Sequence, residues 1–141
     1  MLDENQVSII DAMNIARKYY PKTTYKHALR VAVAVSESVM IPKEYKDDCI
    51  NLALMHELIN KTNYDISKFP ENFRLALEFL TKPEEMSYND FCKKVKDTGN
   101  VPYKMCVYWV VLVDIKEHLA SRDMLPKKPK DMYLNGLKIL L

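Results

Sequence analysis

The side chains of this chain that suit chemistry at neutral pH are three histidines and two acids: His27, His56 with Glu57 directly after it, and Asp114 with His118 four residues later. Imidazole and carboxylate are ligands for first-row divalent ions, and imidazole also titrates near neutrality, so the set suits metal binding or proton transfer. Asp114 continues an apolar stripe through Val107, Val110 and Val111, which on a helix places its carboxylate indoors. An ionised carboxylate there is costly unless a cation or hydrogen bonds compensate it. The ordinary compensation is a backbone group or a nearby lysine, and the functional one is a bound cation. His118, at i+4, shares the face of Asp114 and is a candidate ligand, general acid or bystander.

The elements that position these groups read as helices. Ile9, Ala12, Met13, Ala16 and Tyr20 form the stripe of an amphipathic helix over about 4–20, stopped by Pro21. Thr23 or Thr24 is a candidate cap for a second helix, in which Ala28, Val31, Ala32, Val35 and Val39 repeat the pattern until Ile41-Pro42. From Pro42 onward, Tyr45, Cys49, Leu52, Ala53 and His56 share a face of a third helix, so His56 points at the core. Pro70-Glu71 opens a fourth with Phe73, Ala76, Leu77 and Leu80 inward. Ser87-x-x-Asp90 resembles a capping box for a fifth with Phe91, Cys92 and Val95. After Gly99-Asn100, a segment over about 102–121 is expected to be a helix buried nearly all round. Its VYWVVLV run fits a strand equally by periodicity, but no second strand-like segment exists to pair with it. The Pro126–Lys130 stretch, with Lys127 and Lys128 inside it, reads as a solvated connector to a last helix over 131–141 carrying Leu134, Leu137 and Leu141.

Composition bounds the rest. The 141 residues amount to about one domain, and a 48% hydrophobic, 28% charged composition with net charge +2 predicts a packed core with no general nucleic-acid signal. The two glycines, Gly99 and Gly136, are too far apart for a Walker loop, which needs a closely spaced pair before Lys-Ser/Thr, and too few for a dinucleotide fingerprint, which needs three. Three cysteines without CxxC spacing suggest neither a disulfide framework nor a zinc knuckle, and an acidic N-terminus is unlike a signal peptide, so a reduced, cytoplasmic setting is expected. The longest apolar run, seven residues, is too short to span a bilayer.

Four segments, read in order, carry a family likeness. Tyr25-Lys26-His27-Ala28-Leu29-Arg30, then Ala53-Leu54-Met55-His56-Glu57 continuing to Asn60-Lys61-Thr62, then Thr81-Lys82, then Val113-Asp114-Ile115-Lys116 resemble the HD-domain phosphohydrolases. The branch they are most similar to is the guanosine tetra/pentaphosphate (alarmone) pyrophosphohydrolases. The likeness covers about residues 9–125. It implies a single all-α, HD-domain-like bundle of six or seven helices over 1–141. It also implies one divalent ion, manganese by family habit with iron or another first-row ion as alternatives, held by His27, His56, Glu57 and Asp114. In that family the ion activates water for attack on phosphorus in a small phosphorylated nucleotide such as a guanosine polyphosphate.

This chain departs from the family at three places. Glu57 stands for the signature Asp, one methylene longer. Asn60 and Lys61 stand for a Glu-Asp pair that positions water and leaving group, and an amide cannot take a proton. His118 stands where the family often has Asn. Asn60, Lys61 and His118 are thus the candidate catalytic positions, and Arg30 and Lys82, with Lys104 beside them, the candidate phosphate contacts. Two functions follow as expectations: a hydrolase with a weakened site, or a catalytically inactive module that binds a nucleotide or a protein partner in a regulatory role. A helical interaction protein whose His and Asp are structural is the third. Trp109 is expected in the core.

Overall fold

Proline marks the start of several helical segments. Pro21, Pro42, Pro70 and Pro126 each occupy the position just before one, where a missing N–H leaves no helical bond unmade. The computed structural model describes residues 1–120 and 125–141. Their elements are α1 (Ile9–Tyr19), α2 (Lys22–Glu37), α3 (Lys46–Met55), the single-turn α4 (Leu58–Lys61), α5 (Glu71–Leu80), α6 (Tyr88–Lys96), α7 (Pro102–Ala120) and α8 (Lys127–Leu140), with 3₁₀ turns at Lys43–Tyr45 and Ile66–Lys68. The chain is therefore an all-α bundle, and VYWVVLV is helical. The expected end of the long helix at 121 lies outside the described residues.

Helix α7 is the axle, touching α2, α3, α5, α6 and α8. Its Cys106, Val107, Val110, Leu112 and Ile115 are fully enclosed, and each such aliphatic side chain contributes roughly 1.5–3 kcal/mol by leaving water. Trp109 is core, as expected. Before α7, Gly99 and Asn100 both adopt left-handed backbone, with φ of 56° and 60°, which lets the chain reverse from α6. Ser87 caps α6 as its spacing predicts, its Oγ accepting from the Asp90 N–H at 3.1 Å.

Several local expectations are corrected. Helix α1 starts at Ile9, not near residue 4, because the preceding residues are held as an arm. Asp48 accepts from the Leu2 N–H and from Gln6 Nε2, and the carboxylate of Asp3 accepts from the N–H groups of Asn72 and Phe73, capping an α5 that has no side-chain cap of its own. Thr23 and Thr24 lie inside α2 and cap nothing. Met13 is exposed, and so is Val39, since α2 ends at Glu37 and the stripe stops with it. Pro42 precedes a 3₁₀ turn, and α3 begins only at Lys46. Residues 127–130 are helix rather than connector. On α8 the expected leucine face holds only in part: Leu137 packs against the core, but Leu134 and Leu141 are exposed, while Gly136 and Leu140 are buried. A Cβ on Gly136 would stand 2.9 Å from a Tyr88 ring carbon and 3.1 Å from Cys92 Sγ, so the glycine is what lets α8 seat against α6. No helix among the described residues is long and apolar enough to cross a membrane.

Candidate functional site

Helices α2 and α7, together with the turn that ends α3, bring the predicted residues to one place. His27 on α2 and Asp114 on α7 meet with Nε2 and Oδ1 at 2.8 Å, a contact made either by an Nε2–H donating to the carboxylate or by a cation that both atoms share. His56 points inward as its stripe predicts, its side chain 7% exposed, though it does so as the residue that caps α3 in helical backbone. The helix ends at Met55, and His56 and Glu57 form the turn into α4. The turn delivers the imidazole, because His56 Nδ1–H donates back to the Ala53 carbonyl at 2.6 Å. A carbonyl can only accept, so Nδ1 carries the proton, and in the neutral form of the ring the lone pair is on Nε2.

That lone pair is the site's unsolved account. His56 Nε2 is buried without a hydrogen-bond partner among the described residues. It faces two acceptors, Asp114 Oδ1 at 3.6 Å and Glu57 Oε1 at 3.7 Å. Three acceptors converging in a poorly solvated space repel one another unless something positive lies between them. The facing atoms of His27, His56 and Asp114 all lie within 4.8 Å of one another. Bonds of about 2.0–2.2 Å to one ion would place neighbouring ligand atoms roughly 3–3.5 Å apart, so the spacing fits a first-row divalent cation. The donor chemistry fits as well, and the Nδ1–H to carbonyl bond on His56 is the kind of outer support that orients a ligating imidazole.

Glu57, the fourth residue of the expected ligand set, is beside this group rather than within it, its recorded approach being to His56 alone. Its backbone N–H donates to the buried hydroxyl of Tyr20 at 3.1 Å, which fixes the turn. Burial raises the Tyr20 phenol pKa well above its usual value, so that hydroxyl stays neutral. His118 is brought in. Its Nε2 stands 4.0 Å from Asp114 Oδ1, and its ring packs 4.4 Å from that of His27 and 4.4 Å from that of Tyr133. Burial lowers the His118 pKa, with Asp114 opposing. For Asp114 burial pushes upward, but the His27 hydrogen bond and the charges of His56, His118 and His27 together hold it below the usual carboxylate range.

These groups border a cavity of about 180 Å³ lined by His56, Glu57, Asn60, Lys82, Asp114 and His118, with Tyr88, Tyr133 and apolar side chains of α5–α7. Asn60 is an exposed residue at its edge. Lys61 is exposed and is not among the lining residues. Lys82 lines it with its ammonium turned to backbone, donating to the Pro83 and Met86 carbonyls at 3.0 and 2.8 Å. Arg30 is elsewhere, paired with Glu117 on the outer side of α2 and α7. Lys104 is also outside, over the ring of Phe79.

Tyr88 and Tyr133 were not visible as site residues in the sequence, since they arrive from α6 and α8 by tertiary packing. Their rings lie 5.6 Å apart, edge to face. Burial first, then the charges of Asp114 and Glu57, push the Tyr133 pKa up to about 12, so it offers an O–H donor across the physiological range. The chain matches no protein-family model, and no curated protein matches it at significant similarity.

Proposed function

We propose that this protein is a divalent-metal-dependent phosphohydrolase acting on a small phosphorylated nucleotide such as a guanosine polyphosphate, with His27, His56 and Asp114 as metal ligands. The observation that carries the reading is the buried, unpartnered Nε2 of His56, aimed at Asp114 and Glu57 with its tautomer set by Ala53. The ordered resemblance of four segments to the HD-domain phosphohydrolases supports it from the sequence side. When bound, such an ion supplies Lewis acidity toward a phosphoryl oxygen and toward water.

This chain's own residues would divide the remaining work. Glu57 is a lining carboxylate outside the three-residue cluster, so its Oε1 is the available acceptor for a proton from water now that Asn60 replaces the family's acid. The neutral phenol of Tyr133 would donate to a phosphoryl oxygen, a role that no guanidinium among the described residues fills, since Arg30 is turned away. The cavity has room for about six waters' worth of volume, enough for a phosphoryl group with the rest of a nucleotide outside.

A second reading has its own observation. Lys82 is committed to two backbone carbonyls, Arg30 to Glu117, and Lys104 sits over Phe79, so the cations expected to grip phosphate do not face the cavity. That favours the inactive module, which keeps the pocket and holds a nucleotide or a protein without cleaving anything. Elemental analysis of purified protein, followed by phosphate or pyrophosphate release from guanosine tetraphosphate, separates the two. The hydrolase reading expects about one equivalent of a divalent ion and turnover that disappears in Asp114→Ala. Nucleotide binding without turnover in the loaded protein supports the module, and absence of both metal and nucleotide binding overturns the hydrolase reading and the nucleotide-binding form of the module.

A further inference from the structure

We infer that His118, rather than Glu57, completes the metal's protein ligands, making a three-imidazole, one-carboxylate site that favours nitrogen-preferring ions such as Zn²⁺, Co²⁺ and Fe²⁺ more strongly than a two-imidazole, two-carboxylate site would. The inference rests on the metal reading above and adds to it the fourth ligand and the class of ion.

The geometry turns on a single oxygen. Three imidazole nitrogens face Asp114 Oδ1: His27 Nε2 at 2.8 Å, His56 Nε2 at 3.6 Å and His118 Nε2 at 4.0 Å. His118, like Glu57, lies outside the group of His27, His56 and Asp114 whose ligand atoms are all within 4.8 Å of one another, so it is the approach to Asp114 and the firmness of its support that single it out. Glu57 Oε1 stands 3.7 Å from His56 Nε2. The two candidates also differ in how firmly they are held. His118 is four residues from Asp114 on the same continuous helix and is clasped between the rings of His27 and Tyr133, so its direction is set by α7 and by packing on both faces. Glu57 sits in the non-helical turn before α4, with its side chain 30% exposed and one more torsion than an aspartate. A rigid neighbour on the Asp114 helix is the better-positioned ligand, and the looser carboxylate is free to face water.

Ligand type then acts on metal choice. Imidazole suits zinc, iron, nickel and copper, whereas carboxylate and water suit manganese and magnesium. A dication held by three imidazoles and one carboxylate would keep one uncompensated positive charge, which would favour an anionic oxygen ligand.

Any nitrogen and oxygen site ranks Zn²⁺ above Mn²⁺, so the test reads the change in their ratio. Dissociation constants for Zn²⁺ and for Mn²⁺ are measured by chelator competition on the full chain, on His118→Asn and on Glu57→Gln, with visible Co²⁺ absorption recorded for each. His118→Asn is expected to weaken Zn²⁺ at least about tenfold more than Mn²⁺ and to alter the Co²⁺ bands, while Glu57→Gln leaves ratio and bands as in the parent. X-ray absorption of the Zn²⁺-loaded parent, which needs no variant to fold, is expected to count three imidazoles. Two imidazoles, or a ratio that moves with Glu57→Gln and not with His118→Asn, overturns the inference while leaving the metal site standing. A parent that retains neither ion overturns the metal reading itself.

Discussion

Replacing Asp114 by asparagine removes the oxygen charge on which three imidazoles converge while keeping side-chain size and one acceptor, so it tests the cation reading with little packing damage. A ligand that binds only the folded state stabilises it by RT ln(1 + [L]/Kd), about 2.7 kcal/mol at a hundredfold excess over Kd. For a chain of 141 residues each kcal/mol moves the melting temperature by roughly 3–4 °C, so saturating metal should raise it by about 8–10 °C. Asp114→Asn takes away the only carboxylate of the His27, His56, Asp114 cluster. If that weakens binding about a hundredfold, the same metal concentration contributes only about 0.4 kcal/mol, a shift of roughly 1–2 °C. The assay is thermal denaturation by circular dichroism with and without Zn²⁺ or Mn²⁺, both proteins being compared at one fixed ion concentration. Equal shifts in parent and variant would place the binding elsewhere on the surface, and no shift with any first-row ion would refute the argument from the His56 nitrogen.

Other perturbations probe the scaffold. Gly136→Ala should lower the melting temperature, because the close approach to Tyr88 and Cys92 costs about 1–3 kcal/mol of overpacking against a helix-propensity gain of about 1 kcal/mol; a rise would show that α8 does not need this close seat. Tyr133→Phe keeps the ring against His118 and removes only the hydroxyl, so metal-induced stabilisation should persist while phosphate release falls about tenfold or more; unchanged turnover would remove Tyr133 from the chemistry. Burial raises the Asp48 pKa despite its bonds from Leu2 and Gln6. The folded state therefore holds that proton more tightly than the unfolded one. Its stabilising contribution is full below the unfolded value of 3.8 and is lost as pH rises through the higher folded value. Asp48→Asn should accordingly gain stability relative to the parent at pH 7, with the gain shrinking as pH approaches 4, and a difference constant with pH would contradict this.

Much of the site was legible from spacing because helices impose it. Asp114 and His118 had to share a face of α7 once that segment was helical, and Asp114 had to lie along a buried stripe; both follow from 3.6-residue periodicity without knowledge of neighbours. The helix starts were readable from proline and serine for the same local reason. His56 points inward as its stripe predicts, but the bond to Ala53 that sets which ring nitrogen faces the cavity was not in the pattern.

Tertiary contact decided what periodicity had no means to express. The leucines of α8 form a convincing stripe, yet the helix presents Gly136 and Leu140 inward, since the absence of a Cβ permits an approach to α6 that leucine would block. That rotation is what brings Tyr133 against His118. Arg30 follows His27 by three residues but spends its charge on Glu117, and Lys82 spends its own on two carbonyls, because an ammonium or guanidinium settles on the acceptors that packing leaves in reach. Local sequence chooses where a backbone coils and which way its residues alternate. Which of those faces meet, and hence which nitrogen is left facing which oxygen, is settled only when close packing selects one arrangement of the helices from many of similar hydrophobic merit.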